Sequence, residues 1–299
     1  MSVKAPALVG AALLVLVSGC TSPSISLDGR AVAQQESNSI EAPPPTVAPT
    51  EFAAPVPLPP NGAMVLRAEF DRVASTYSGR LGLAYIPVGG GQVQVLGDWS
   101  TGVAWSTIKV PLAVAALRAS ASNGLSSATS AIVNSDNAAA ENLWASLGDA
   151  TSAASAVEQV LTDGGDAATD VQDTRIRDGY TPFGQTDWSL VQQAQFSSEL
   201  QCVDTGPTVV ELMHRVSSDQ SWGLGRLPGS AFKGGWGPSD DGSYLVRQLG
   251  ILEVAGGYTA VAIAAESASG SFYDGITMLD ALAEMLGAHS DLLPFGRCA

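Results

Sequence analysis

Ser106 is followed three residues later by Lys109 in "WSTIKVPLAVAAL", and that spacing matters because lysine is rare in this chain. The lysines are Lys4, Lys109 and Lys233. A serine hydroxyl at neutral pH is a weak nucleophile and needs a base within hydrogen-bond reach. On a helix, positions i and i+3 share one face, so Lys109 meets that requirement. The start of a helix also presents unpaired amides and the positive end of the dipole to a developing oxyanion. Burial and a neighbouring cation both lower a lysine pKa, which would make Lys109 a workable base. Ser-x-x-Lys arises often by chance in a serine-rich chain.

Two further pieces follow. "NSDNAAAENLW" places Ser135, Asp136 and Asn137 just before a helical run, where all three residue types are preferred as caps. "SAFKGGW" places Lys233, Gly234 and Gly235 on an expected strand, ending at Trp236; alone it reads as a strand entering a turn. Taken together, the order S-x-x-K, S-D-N, K-G-G follows the S-x-x-K, S-D-N, K-T-G set of penicillin-recognising serine enzymes. Lys109 and Lys233 both fall inside it.

Elements that must position these residues can be read from hydrophobic period. Met64, Leu66, Phe70 and Val73 in "NGAMVLRAEFDRVASTY" recur at helical spacing, and "LGLAYIPV" and "GQVQVLGDW" read as a hairpin. Residues 106–119 form a nearly continuous apolar helix with Pro111 near its start, where a missing amide donor costs least. Helices are expected in "SSATSAIVNSDNAAAENLWASLG", "ATSAASAVEQVLTDGG", "DWSLVQQAQFSSELQC" and "PTVVELMHRVSS". "GDAATDVQDTRIRDGYTPFGQTDW" is a long polar loop. Three strands ("SAFKGGW", "GSYLVRQLGILEVA", "GYTAVAIAAES") and the helix "YDGITMLDALAEMLGAH" close the chain. Strands at both ends with helices between predict an α+β fold with an antiparallel sheet assembled from the two ends of the chain, which brings residues 106 and 233 together.

The N-terminus "MSVKAPALVGAALLVLVSGC" has one basic residue, an apolar stretch and a small-residue end, the pattern of a secretory signal over residues 1–19. Val17-Ser18-Gly19-Cys20 matches the bacterial lipobox, so Cys20 is expected to carry a lipid and anchor the protein to the outer face of the cytoplasmic membrane; a free thiol is the alternative. Residues 20–60, rich in Pro, Ser, Ala and Thr, read as a tether, leaving residues 61–299 as one domain. With 14 basic against 29 acidic residues and no basic cluster, nucleic acid is excluded as a partner. Cys202 and Cys298 are disulfide candidates in an exported protein, and closing so long a loop would contribute roughly 4 to 5 kcal/mol in the chain-entropy model; two buried thiols are the alternative. His214 and His289 have no metal-ligand spacing, and neither a metal nor a cofactor is expected. Trp99, Trp105 and Trp236 flank the motifs and read either as cleft walls or as core.

Over residues 61–290 the chain resembles the class A β-lactamase and penicillin-binding transpeptidase family. The likeness rests on the opening helix and hairpin, "STIKVPLAVAAL", "SDNAAAENLW", "TDWSLVQQAQFSSEL" and "VVELMHRV...WGLGRLPGSAFKGGWG". It implies a serine acyl-transfer enzyme, a monomer, acting on a β-lactam or a peptidoglycan-related amide. Ser106 would be the nucleophile, Lys109 its base and Ser135 the proton relay. Asn137 would hold the substrate amide, Lys233 would supply charge, and the amides of Ser106 and Trp236 would form the oxyanion hole.

Three departures bear on activity. Only 25 residues (110 to 134) separate Lys109 from Ser135, so the helical half is trimmed and its cleft more open. The polar loop lacks the Glu and Asn with which the hydrolases activate the deacylating water; Asp166, Asp170, Asp173 and Asp178 are either substitutes or solvated carboxylates. Gly234 stands where the family has a hydroxyl for the substrate carboxylate, and Arg247 is either a replacement charge or a surface arginine. The acyl-enzyme is therefore expected to deacylate slowly. The alternatives are a catalytically degenerate module that binds a cell-wall peptide or protein, and a Ser-Lys esterase.

Overall fold

The run GYTAVAIAAES (Gly257–Ser267, β5) is apolar at nearly every position because both of its faces are covered. Ala260, Ala262 and Ala264 face one core cluster, and Val261, Ile263 and Ala265 face the other. The computed structural model describes residues 55–57, 59, 61–239 and 241–298. The expected leader, the lipidation site Cys20 and nearly all of the tether lie outside the described residues.

β5 is the middle of a five-stranded antiparallel sheet. Its other strands are β1 (Gly79–Pro87), β2 (Gln94–Gly97), β3 (Ala231–Pro238) and β4 (Tyr244–Val254), in the order β2-β1-β5-β4-β3. The expected assembly from both ends of the chain is what forms. Register carries one row straight across it, Val95–Ala84–Ala262–Leu249–Lys233. Lys233 thereby sits on the edge strand, on the face where Ala84, Ala262 and Leu249 meet the helical core.

The other face carries α1 (Gly62–Ala74) and α8 (Phe272–Ala288). α1 buries Leu66, Phe70 and Val73, positions i, i+4 and i+7 of one stripe. The helical half comprises α2 (Lys109–Ala119), α3 (Ala121–Val133), α4 (Asn137–Ser146), α5 (Ala150–Asp163), α6 (Leu190–Glu199) and α7 (Gly206–Met213). Caps set several starts: Asp136, Asp149 and Ser189 accept from the amides of Ala139, Ser152 and Gln192. Each such cap contributes about 1 kcal/mol. α2 is central, and every residue from Lys109 to Leu117 is buried.

The helix expected from residue 106 begins differently. Residues Trp105–Ile108 form a 3₁₀ turn, and α2 proper starts at Lys109. Trp105 enters this turn at φ 51°, a left-handed conformation uncommon outside glycine, so the chain bends sharply just before Ser106.

Cys202, beyond α6, is disulfide-bonded to Cys298, fixing the C-terminal segment against the helical half. That segment also pairs with Val56 through Phe295 and with Tyr258 through Gly296. Ordered contacts of the described residues thus begin a few positions before residue 61.

The polar loop of residues 164–188 is held by its own side chains. Asp166 is buried and accepts from Trp188 Nε1 (2.8 Å), Thr169 Oγ1 (2.7 Å) and the amides of Ala168 and Thr169. A 3₁₀ turn at Phe183–Gln185 buries Phe183 against Trp144 of α4, with ring centroids 5.1 Å apart. The loop therefore forms one wall of the space above Ser106.

Candidate active site

Ser106, Lys109, Ser135, Asn137 and Trp236 line one cavity of about 530 Å³. Lys233 reaches it from below, fully buried, through Ser135. The residues singled out in the three motifs therefore converge as expected.

Ser135 is the meeting point. It lies in the two-residue gap between Asn134 at the end of α3 and Asn137 at the start of α4, at φ 55°. That backbone turn lets its carbonyl and its hydroxyl both face the lysines. Lys109 Nζ donates to Ser135 O at 2.6 Å and to Asn137 Oδ1 at 2.7 Å, with Ser135 Oγ at 3.4 Å. Lys233 Nζ donates to Ser135 Oγ at 2.9 Å and to Gly234 O at 2.8 Å. Asp136 contributes by capping α4, with Oδ1 accepting from Ala139 N.

Neither lysine has a carboxylate in hydrogen-bond contact, so burial dominates their titration. Burial brings Lys109 from 10.5 down to about 8, with the Asp136 charge opposing the drop. Lys233 is pushed well below its ordinary value, first by burial and then by the Lys109 charge. As an ammonium, Lys109 has three N–H groups for its three neighbours. As a free amine it keeps two, enough for Ser135 O and Asn137 Oδ1, and its lone pair is then free for a serine proton. Ser106 is half-buried, and its hydroxyl makes no hydrogen bond to any described residue.

Two glycines on β3 are required by close approach. A Cβ on Gly235 would lie 2.9 Å from Ser106 N, 2.9 Å from Ala104 O and 3.0 Å from Thr107 N. β3 therefore runs directly against the turn that carries Ser106, which places the Trp236 end of the strand beside the Ser106 amide. A Cβ on Gly237 would lie 2.3 Å from the Trp105 indole. Trp105 is in turn packed edge-on against Tyr180 at 5.2 Å, and this fixes the strained residue before Ser106. Gly234 faces Trp222 and Trp236, whose rings would sit 3.1 and 3.5 Å from a Cβ there. A side chain there would press tightly on the Trp222 indole and reach ordinary contact with that of Trp236.

One sequence expectation needs correction, and two alternatives left open are decided: Trp99 is core, and the exposed Asp170 and Asp178 are solvated carboxylates. Arg247 is neither a surface residue nor a cleft charge: it is fully buried on the sheet face below the cavity. Its guanidinium donates to Gly102 O, Val103 O, Trp188 O and Gln193 Oε1 and stacks over Trp99 at 5.1 Å. Trp99 is core, 2 % exposed, whereas Trp105 and Trp236 do line the cleft. None of Asp166, Asp170, Asp173 and Asp178 lines the cavity. Asp166 is saturated as described above, and Asp173 accepts from Thr151 and Thr174 hydroxyls.

The carboxylates that do line it are Glu141 and Asp219. Sequence reasoning passed over both, together with Gln185 and Gln220. For Glu141 a signal existed, since it lies one helical turn after Asn137 and must share its face. No protein-family model and no curated protein matches the chain. Among solved structures, the TLA-1 extended-spectrum β-lactamase is 14% identical, with a TM-score of 0.62 over 76% of this chain and 99% of that one. A class A β-lactamase from Mycobacterium abscessus gives 15% identity and a TM-score of 0.59 over 74% of this chain and 97% of its own. A β-lactamase from Xanthomonas campestris gives 17% and 0.59 over 78% and 98%. The five-stranded antiparallel sheet, the helices on its two faces and these superpositions, each over nearly all of the other chain, agree: the chain has the β-lactamase/transpeptidase-like fold.

Proposed function

We propose that the protein is a serine acyl-transfer enzyme that forms an acyl-Ser106 intermediate with a β-lactam or a peptidoglycan-related amide and releases it slowly. The observation that carries this reading is the convergence of two buried lysines on Ser135 beside Ser106. Burying two lysine side chains without carboxylate partners is costly, and a module that only binds has no need of it. Lys109, as the free amine, takes the Ser106 proton while the hydroxyl oxygen attacks the substrate carbonyl. The amides of Ser106 and Trp236 receive the oxyanion, and Asn137 orients the substrate amide. Lys109 returns the proton through Ser135, held by Lys233, to the leaving nitrogen.

Slow release follows from the loop. It has no Glu or Asn, and its one fully buried carboxylate, Asp166, is committed to Trp188 and Thr169. These same features, with Gly234, favour a second reading in which the fold is kept only to bind a cell-wall peptide or protein. Intact mass spectrometry separates the two. Full-length protein in detergent is mixed with a fluorescent penicillin and a chromogenic cephalosporin, with Ser106→Ala alongside. The expected result is a persistent adduct of ligand mass on the unmodified protein and none on Ser106→Ala. If no adduct and no turnover appear at high ligand concentration, nor with simple ester substrates, acyl transfer is rejected and the binding module stands.

We also propose export and lipid anchoring through Cys20 to the outer face of the cytoplasmic membrane, supported by the lipobox ending and the Pro-rich stretch behind it. Detergent phase partitioning of the expressed protein tests this. The native chain is expected in the detergent phase and Cys20→Ser in the aqueous phase; equal partitioning would reject it.

A further inference from the structure

At the free edge of β3 the cleft has an aromatic wall that the chemistry at Ser106 does not use. Trp222, Trp236 and Phe272 pack with the apolar cluster on the α8 side of the sheet, and all three also line the cavity that holds Ser106. Their ring centroids are 5.8 Å (Trp222–Trp236), 6.2 Å (Trp222–Phe272) and 5.6 Å (Trp236–Phe272) apart, so they form one continuous surface. Trp222 is nearly closed off, at 7 % exposed, whereas Trp236 and Phe272 are half-buried and carry the open ring area. From Phe272 the row continues to Tyr244 at 5.8 Å and to Tyr273 at 5.5 Å. Tyr273, in the first turn of α8, is 76 % exposed, so the row runs from the cavity out to solvent.

The place of this wall decides which part of a ligand meets it. Ser135 Oγ accepts from Lys233 Nζ at 2.9 Å, and in the acyl-transfer reading it passes the proton to the leaving nitrogen. Gly234, the next residue on β3, would bring a Cβ to 3.1 Å from the Trp222 ring and 3.5 Å from that of Trp236. The rings therefore adjoin the proton relay, on the leaving-amine side. They carry no charge, and the cations around them are engaged elsewhere. Lys233 is fully buried, with Nζ bonded to Ser135 Oγ and Gly234 O. Arg177 lies over the Trp105 and Tyr180 rings, 5.7 and 4.6 Å from their centroids, and donates to Pro238 O. A carboxylate laid on the wall would lose water without gaining a countercharge, whereas an apolar group would be stabilised by contact with open ring surface.

We propose that Trp236 and Phe272, backed by Trp222, form a subsite for an uncharged apolar side group, such as a phenyl ring, on the leaving-amine side of the ligand. This rests on the reading of the cleft as the acyl-transfer site, which fixes the leaving side, and it names the substrate class that reading leaves open. It also accounts for glycine at position 234, since a side chain there would press on the Trp222 ring that backs the subsite.

The test uses full-length Ser106→Ala protein in detergent, titrated by calorimetry with N-acetyl-alanyl-phenylalaninamide and with its counterparts ending in glycinamide and in the α-amide of glutamic acid. Detergent alone, titrated with the same compounds, supplies the blank. The phenylalanine compound is expected to bind about five- to tenfold more tightly than the glycine compound, and the glutamate compound no more tightly than the glycine one. Trp236→Ala and Phe272→Ala, made separately, should each cut the phenylalanine advantage by about threefold or more. Each should leave the glycine compound's affinity within about twofold, which also reports that the cleft is folded. The comparison of the three compounds on the intact wall decides the proposal even where a variant does not fold. Equal affinities for the phenylalanine and glycine compounds, tighter binding of the glutamate compound, no binding of any of the three, or an advantage that survives both substitutions would overturn it. Because the Ser106→Ala protein has no nucleophile, the outcome is independent of acylation. Selective binding without an adduct on the native serine removes acyl transfer alone, and an adduct without selective binding removes the subsite alone.

Discussion

Lys109→Met should lower the rate of Ser106 acylation by about 10²- to 10⁴-fold, the range for loss of a positioned general base. The neutral amine is the reactive form. With a pKa of about 8, acylation by the native protein should climb roughly tenfold per pH unit below that value and level off above it. In Lys109→Met the limb should vanish along with the rate. A second, independent reading comes from stability. Between about 8 and 10.5 the unfolded chain holds a proton on Lys109 that the folded protein has released, so stability rises with pH across that window. The methionine variant should show less of this rise, measured by urea unfolding at pH 8 and pH 10. An acylation rate within tenfold of the native protein, or a profile flat from pH 6 to 9, would remove Lys109 as the base.

The candidate constellation is legible in the sequence because its members sit in short local motifs. Ser106 and Lys109 are a helical turn apart, Asp136 is a helix cap next to Ser135 and Asn137, and Lys233 follows an apolar strand start. The antiparallel sheet built from both chain ends could be anticipated from the strand-like runs at each end with helices between them, but its strand order could not. The cleft's outer wall is a different matter. Asp219 and Gln220 lie in a three-residue 3₁₀ turn, too short for any period, and only the tertiary fold carries them to Trp222 and the cleft. Gln185 is buried because the 164–188 loop folds over it, which its polar composition does not announce. Arg247 misleads for the opposite reason. A charge on a strand ordinarily marks a solvent face, yet β4 is buried on both sides, and the arginine is stabilised by carbonyls that no pattern in its own strand reveals.

Substitution of that arginine should produce a large loss of stability. Arg247 binds the loop before Ser106, at Gly102 O (2.8 Å) and Val103 O (3.2 Å), to the end of the 164–188 loop, at Trp188 O (2.8 Å), and to α6, at Gln193 Oε1 (3.0 Å). Burial lowers its pKa to about 9, which still leaves it charged at neutral pH. Arg247→Met removes the burial penalty but strands Val103 O, Trp188 O and Gln193 Oε1, at about 1–3 kcal/mol each when left unpaired, while Gly102 O keeps the Trp188 amide at 3.0 Å. The two effects oppose each other, and the acceptors outnumber the single charge. A net loss of about 3–5 kcal/mol is expected once relaxation is allowed for. Arg247→Lys should recover only part of this, because three N–H groups on one point cannot span acceptors arranged around a planar fork. Urea unfolding followed by circular dichroism measures both variants. If Arg247→Met unfolds within about 1 kcal/mol of the native protein, the carbonyls it holds are satisfied by other means, and the site below Ser106 owes its rigidity to Trp105, Gly235 and Gly237 instead.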